Sequence, residues 1–118
     1  MSEGLKQFFA AWGETNAAAR EEILRAVLNL KFSYVDPRMD APTEDLSTLN
    51  DYIGQSASFA PGAQAKVVIT STTAGIDRAT VAFEMPGMDP QMGQYVVEYD
   101  ATGTIIRMIG FAGLGAPD

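Results

Sequence analysis

The 118-residue sequence contains neither cysteine nor histidine, and these two absences exclude several kinds of site at once. Without cysteine there are no disulfides and no thiolate nucleophiles, and without either residue the usual zinc ligands are missing. Catalytic Ser-His-Asp and Cys-His arrangements are excluded for the same reason. We therefore expect no metal and no cofactor, so that any chemistry comes from carboxylates, tyrosines, arginine, lysine or water.

Basic residues are also scarce, since eight lysines and arginines stand against fifteen acidic residues and give a net charge of −7. Such a chain repels nucleic-acid phosphates and anionic lipid head groups, so we expect no nucleic-acid partner and no membrane partner. The first residues lack the features of a signal peptide, and no stretch approaches the roughly 20 apolar residues of a membrane span. These patterns favour a soluble cytoplasmic protein.

The chain has no repeat and no low-complexity tract, which predicts a single domain over residues 1–118 with a flexible tail over about 112–118. Its first half has helical periodicity. Ser2 can cap a first helix that ends at Gly13, and this helix carries Leu5, Phe8, Phe9 and Trp12 on one face.

Two further helices are predicted before residue 60. Thr15 or Asn16 can cap the second helix, whose buried stripe consists of Ile23, Leu24, Val27 and Leu28. The third helix is predicted to start near Thr43, after Pro42, with Glu44 and Asp45 in its first turn. Tyr52 lies at the margin of its apolar stripe.

Between the second and third helices, residues 31–36 alternate as a short strand that stops at Pro37. Phe32, Tyr34 and Asp36 therefore share one face of it. From residue 65 onwards the sequence is typical of strands, predicted over 65–73, 79–85, 92–99 and 104–111. Gly103 supplies the positive φ of the last tight turn.

Helices followed by antiparallel strands predict an α+β fold, in which three N-terminal helices pack inside a curved mixed or antiparallel sheet. The sheet then forms a cone with an opening lined by Trp12, Tyr34, Asp36, the third helix and the inward faces of the late strands.

The order of these segments resembles the NTF2-like superfamily, in particular its SnoaL-like and ketosteroid-isomerase-like branches. The resemblance covers about residues 5–111. It depends on an aromatic first helix that ends in Ala10-Ala11-Trp12, the segment Tyr34-Val35-Asp36-Pro37, and the two last strands, GQYVVEYD and TIIRMIGF, joined by an Ala-Thr-Gly turn.

The resemblance implies a role for Asp36, because in the isomerases of this family an aspartate before proline is the general base that moves a proton beside a carbonyl. Ketosteroid isomerase itself is a standard example of such carboxylate tuning. Tyr95 falls where the family has a protonated aspartic acid in the oxyanion site, and Tyr95 can still donate a hydrogen bond. Phe8 falls near the family's helical tyrosine and cannot donate.

These considerations predict an NTF2-like protein that binds a small hydrophobic carbonyl compound and acts as an isomerase, cyclase or dehydratase by Asp general acid-base catalysis. Asp36 and Tyr95 are the predicted catalytic residues. The predicted substrate-binding residues are Phe8, Trp12, Phe32, Tyr34, Tyr52, Phe83, Met85, Val97 and Met108.

An alternative assigns the same fold to a non-catalytic ligand-binding or dimerisation module, in which Asp36 only turns the chain by bonding a backbone N–H. Arg38 and Asp40 are expected to be a solvated loop pair, the alternative being that they pair at the rim of the pocket or help to position a water molecule, and Arg107 is expected to lie outside the cone. Because both faces of the predicted sheet keep apolar residues, we also expect a homodimer that forms through the outer sheet face.

Overall fold

The computed structural model describes residues 3–115. Its helices and strands follow in the order α1 (Glu3–Ala10, continued by a 3₁₀ turn at Ala11–Gly13), α2 (Ala17–Val27), β1 (Leu28–Val35), α3 (Leu46–Phe59), β2 (Gln64–Thr73), β3 (Ile76–Glu84), β4 (Gln91–Tyr99) and β5 (Ile105–Ala112). The predicted α+β class is confirmed.

The five strands form one mixed sheet in the order β1-β5-β4-β3-β2, and the three helices pack against it. β1 runs parallel to β5, whereas every other pair of neighbouring strands is antiparallel. Register shifts interrupt the pairing at Val67/Ile69 in β2, at Glu98/Tyr99 in β4 and along β1. Such irregularities bend a strand, and the sheet is curved without being closed.

The core lies between the helices and the concave side of the sheet. Its helical residues include Leu5, Phe8, Phe9, Trp12, Leu24, Leu49 and Ile53, and its strand residues include Phe32, Tyr34, Ala79, Val81, Tyr95, Val97, Ile105 and Met108. The predicted shared face of Phe32, Tyr34 and Asp36 is confirmed, because all three side chains are buried.

Two predicted helix boundaries are wrong. α3 begins at Leu46, and Asp45 is its N-cap, whose carboxylate accepts a hydrogen bond from the Thr48 N–H (2.9 Å). Thr43 instead exchanges two backbone hydrogen bonds with Tyr34, which hold its backbone extended. Leu28, predicted in the second helix, already has extended dihedrals and opens β1.

Other local predictions agree with the structure, and two cannot be compared with it. Asn16 caps α2 by accepting from the Ala19 N–H (2.9 Å), and Gly103 has a φ of 91°. Arg107 lies on the outside, where it pairs with Glu98 (3.2 Å). The predicted cap at Ser2 lies outside the described residues, as does the end of the predicted tail, 116–118.

A buried arginine fixes α3, which carries part of the candidate site. The Arg20 guanidinium donates to Asn50 Oδ1 of α3 (2.5 Å) and to the Glu14 carbonyl (2.6 Å). A Cβ added at Gly54 would lie 2.7 Å from Arg20 Nη2, so any side chain there would have to displace this guanidinium. Because Arg20 joins the start of α2 to α3, it holds the helix in place beneath the site.

Candidate functional site

Asp36 follows the last residue of β1 and turns the chain. Its Oδ1 accepts a hydrogen bond from the Arg38 backbone N–H (3.0 Å), and the Met39 N–H donates to the Asp36 carbonyl (3.1 Å). Asp36 thus has the turn-forming role that the structural alternative assigned to it. The same carboxyl group is only 5% exposed and lies on the wall of a cavity.

Two tyrosine hydroxyls surround the Asp36 carboxylate. The Tyr34 hydroxyl donates to Oδ2 (2.9 Å), and the Tyr52 hydroxyl lies 2.8 Å from Oδ1 and 2.7 Å from Oδ2. Together with the Arg38 N–H, these donors stabilise the negative charge of a carboxylate that has lost most of its water. No lysine or arginine nitrogen of residues 3–115 lies within ion-pair distance of it.

Tyr95 joins this network through Tyr34, because the two hydroxyl oxygens are 3.2 Å apart. Tyr34 has a single hydroxyl proton and donates it to Asp36, so the Tyr95 hydroxyl donates to Tyr34 in the pair. The result is a chain of hydrogen bonds from Tyr95 through Tyr34 to Asp36. Tyr95 is the member of this chain that lines the cavity beside the carboxylate.

Burial keeps these hydroxyls protonated. Desolvation, assisted by the nearby Tyr95 and Asp36, raises the pKa of Tyr34 well above that of free tyrosine. Desolvation likewise raises the pKa of Tyr95 to about 12, and it raises the pKa of Tyr52, with the Asp36 carboxylate adding to the effect. At neutral pH all three tyrosines are therefore neutral donors and none can act as a base.

The cavity beside Asp36 has a volume of about 250 Å³. It lies between the end of α3, the end of β3 and the start of β4. Its walls are formed by Trp12, Asp36, Pro37, Arg38, Ser56, Ala57, Ala60, Ala63, Phe83, Met85, Gln91, Met92, Gly93, Tyr95, Phe111 and Ala112. Aromatic rings, thioether chains and alanines provide most of this surface, and Asp36 and Arg38 provide its two charges.

The predicted site residues divide into two groups. The cavity wall includes Asp36, Tyr95, Trp12, Phe83 and Met85. The remaining predicted contacts are not on that wall: Phe8, Phe32, Tyr34, Val97 and Met108 are buried in the core, and Tyr52 reaches the site through its bond to Asp36. Strand alternation identified the concave side of the sheet but could not separate the core from the cavity on that same side.

Two features of the site were not among the residues predicted to form it. Arg38 lines the cavity, and its guanidinium lies over the Tyr52 ring, 5.7 Å from the centroid. The expected ion pair with Asp40 is not among those formed by residues 3–115. Gly110 allows Tyr95 and Asp36 to approach β5, because an added Cβ would lie 2.7 Å from Tyr95 Cε2 and 3.1 Å from Asp36 Cβ.

Trp12 contributes an unpaired donor to this region. Its indole Nε1 is buried and has no hydrogen-bond partner in the described part of the chain. Leaving such a group unpaired costs roughly 1–3 kcal/mol. As for metals, residues 3–115 contain no cluster of three or more carboxylate side chains that could hold an ion.

With the geometry described, the chain can be compared with known proteins. No protein-family profile matches the sequence, and no curated protein matches it. Solved structures do match in three dimensions, and together with the topology they define an NTF2-like α+β fold. No helix in the described residues is long and apolar enough to cross a membrane.

Among the solved structures, similar folds occur in SnoaL-like and ketosteroid isomerase-like proteins. A SnoaL-like family protein from Agrobacterium tumefaciens strain C58, proposed to be an isomerase, is 22% identical with a TM-score of 0.82, over 94% of this chain and 95% of that one. A protein with a ketosteroid isomerase-like fold from Catenulispora acidiphila DSM 44928, in complex with trimethylamine, is 12% identical with a TM-score of 0.74, over 97% and 88%. A proposed SnoaL-like polyketide cyclase from Jannaschia sp. CCS1 is 14% identical with a TM-score of 0.68, over 91% and 80%.

Proposed function

We propose that the protein binds a small, largely apolar carbonyl compound in the cavity and catalyses a proton transfer on it, as an isomerase or cyclase without a cofactor. One observation carries this proposal: a buried carboxylate and a neutral phenol, Asp36 and Tyr95, face the same cavity and are joined through Tyr34. Neighbours of the same fold proposed to be an isomerase and a polyketide cyclase support it, as does one that holds a small ligand.

In this mechanism Asp36 is the general base and Tyr95 is the donor. As a carboxylate, Asp36 can accept a proton from the carbon beside a carbonyl. Negative charge then develops on the carbonyl oxygen, and the Tyr95 hydroxyl turns from Tyr34 and donates its single proton to that oxygen. Asp36 returns the proton to a different carbon. A cavity of about 250 Å³ suits a substrate of one or two rings.

The test uses 3-cyclohexenone, whose conversion to the conjugated 2-cyclohexenone is followed by its ultraviolet absorbance. We expect the wild type to accelerate the conversion, Asp36→Asn to abolish the acceleration, and Tyr95→Phe to lower kcat by roughly ten- to a thousand-fold, as for the loss of one oxyanion donor. The matched control is Asp77→Asn. Asp77 is an equally buried carboxylate that accepts from Tyr99 (2.7 Å) and Thr72 (2.5 Å) away from the cavity wall.

The outcome separates catalysis from a structural role. Both Asn variants are expected to lose stability, because each replaces one of two acceptor oxygens by an amide nitrogen, which donates and cannot accept. Only Asp36→Asn should lose turnover. If both variants lose turnover in proportion to their unfolding, or if the wild type is inactive, Asp36 is not a base for this reaction.

A second candidate is a ligand-binding protein without catalysis. It is favoured by the number of donors on Asp36, since Tyr34, Tyr52 and the Arg38 N–H already occupy the carboxylate. In that case ligands quench or shift the fluorescence of Trp12, the only tryptophan, without any turnover. Asp36→Asn then changes stability more than it changes affinity.

We further propose that the convex face of the sheet pairs two copies of the chain. Ile69 (63% exposed) leaves apolar surface there, next to the cross-strand pair of Val96 and Ile109. Sedimentation velocity should give a dimer for the wild type and a monomer for Ile69→Lys. Leu30→Lys is the control, since Leu30 is exposed on β1 at the opposite edge of the sheet. A wild-type monomer would contradict this assembly.

A further inference from the structure

The cavity holds one positive charge that has no carboxylate partner. Among residues 3–115, the ion pairs are those of Arg25, Lys66 and Arg107, so the Arg38 guanidinium has no carboxylate oxygen within 4 Å. It lies over the Tyr52 ring, an arrangement that favours a cation on the aromatic face. Among residues 3–115, Arg38 is the one basic residue that lines this cavity, and no carboxylate of the described chain pairs with it.

Two charges of opposite sign therefore line the same cavity, at different depths. Asp36 is buried, and its acceptor sites are occupied by Tyr34, Tyr52 and the Arg38 N–H. Arg38 is exposed at the cavity rim. The turn that starts at Asp36 holds both residues, because the Asp36 carboxylate binds the backbone N–H of Arg38 and thereby sets where its side chain begins.

We propose that the natural ligand of this cavity is an amphiphilic anion, with its carboxylate at Arg38 and its apolar body against Trp12 and Phe83. This inference rests on the proposed binding function. A guanidinium is suited to a carboxylate because its planar fork can donate two parallel hydrogen bonds. The deep end of such a ligand reaches Asp36 and Tyr95, where a carbonyl group would lie, while its negative charge stays at the rim and away from Asp36.

A cationic ligand is the main alternative, since a buried carboxylate among aromatic rings also attracts ammonium groups. Arg38 opposes that alternative, because its charge stands at the rim of the same cavity. The charge of Asp36 is moreover already stabilised by three donors, whereas Arg38 lacks an anionic partner in the described chain. The Arg38 guanidinium, rather than the Asp36 carboxylate, is therefore the charge in this cavity that a ligand of opposite charge would neutralise.

The test uses three probes with the same cyclohexyl ring and different charge: cyclohexanecarboxylate, cyclohexanecarboxamide and cyclohexylamine, which is protonated at neutral pH. Binding is measured by calorimetry and by Trp12 fluorescence. We expect the carboxylate to bind about three- to five-fold more tightly than the carboxamide, as for one partly exposed ion pair, and the ammonium to bind most weakly. The preference for the carboxylate should shrink as salt is added.

Variants of Arg38 identify the source of that preference. Arg38→Gln should bring carboxylate and carboxamide to equal affinity, and Arg38→Lys should keep part of the difference. Arg78→Gln is the matched control, because Arg78 is an exposed arginine of β3 that is not on the cavity wall, and it should leave the preference unchanged. Far-ultraviolet circular dichroism verifies that each variant is folded.

The outcomes separate this inference from the proposed function. If the carboxamide binds as tightly as the carboxylate, or if Arg38→Gln keeps the preference, the anionic ligand is overturned while the binding cavity stands. Tightest binding of the ammonium also overturns it, and then Asp36 sets the ligand charge. If none of the three probes binds, the binding function falls and the inference falls with it.

Discussion

A single added methyl group at Gly110 should disrupt the site, and this is the sharpest prediction that the structure makes. An alanine Cβ there would lie 2.7 Å from Tyr95 Cε2 and 3.1 Å from both Tyr95 Cζ and Asp36 Cβ. Carbon atoms pack at about 3.5–4.0 Å, so the Tyr95 ring must move by roughly 0.8 Å or more. Such a movement threatens the hydrogen bond from the Tyr95 hydroxyl to Tyr34, already 3.2 Å long.

The cost has two parts. Overpacking a well-filled core costs about 1–3 kcal/mol, and losing one hydrogen bond costs about 0.5–1.5 kcal/mol. We therefore expect Gly110→Ala to lower the free energy of unfolding by about 2–4 kcal/mol, measured by urea denaturation. Gly13→Ala is the matched control, since the nearest atom to its added Cβ is Gln64 Cγ at 3.6 Å, and its stability should stay within about 0.5 kcal/mol of the wild type.

A double-mutant cycle isolates the contact. In a Tyr95→Ala background the obstructing ring is absent, so Gly110→Ala should cost much less there than in the wild type. If Gly110→Ala is as harmless as Gly13→Ala, or if its cost is unchanged without the ring, Tyr95 does not lie against β5 as described. The placement of Tyr95 beside Asp36 would then be refuted too.

Three further predictions concern pH and single groups. Because burial raises the pKa of Tyr95 to about 12, its contribution to stability is fully present below pH 10, the ordinary tyrosine value, and is lost as the pH rises through 12. Tyr95→Phe should therefore lose stability less steeply than the wild type above pH 10 in urea denaturation. Hydrogen bonds from Thr102 and Thr104 lower the pKa of Asp100, so Asp100→Asn should be less stable than the wild type at neutral pH, by a margin that shrinks on acidification below about pH 4. Trp12→Phe removes the unpaired indole N–H along with packing area, so its unfolding free energy should stay within about 1 kcal/mol of the wild type, and a loss above about 3 kcal/mol would contradict this account.

Local sequence patterns predicted these helices, strands and turns, because their formation depends on residues that are close together in the sequence. The periodicity of α2, the alternation of β4 and the glycine turn at Gly103 belong to this class, and the structure agrees with them. Thr43 is different. Its propensities favour a helix start, but its backbone pairs with Tyr34 across the fold, and no local pattern carries that information.

The same distinction applies to the site. Asp36 and Tyr95 were found through a family resemblance, and the structure places both on one cavity wall. Sequence reasoning did not find that Tyr34 lies between them, because the contact joins β1 to β4 across β5. Sequence reasoning allowed Arg38 at a pocket rim but favoured a solvated loop pair with Asp40, because no local pattern shows whether a loop arginine borders a cavity.

The parallel pairing of β1 with β5 has a consequence for how the protein is made. Tyr34 of β1 pairs with Met108 of β5. β1 can therefore take its place in the sheet only after β5, the last strand, has formed. Pairings this distant along the chain form late, because loop closure must be completed before they contribute. During synthesis the edge of β4 therefore stays uncovered until β5 emerges, and the hydrogen bonds that join Tyr95, Tyr34 and Asp36 form only when translation of the sheet is complete.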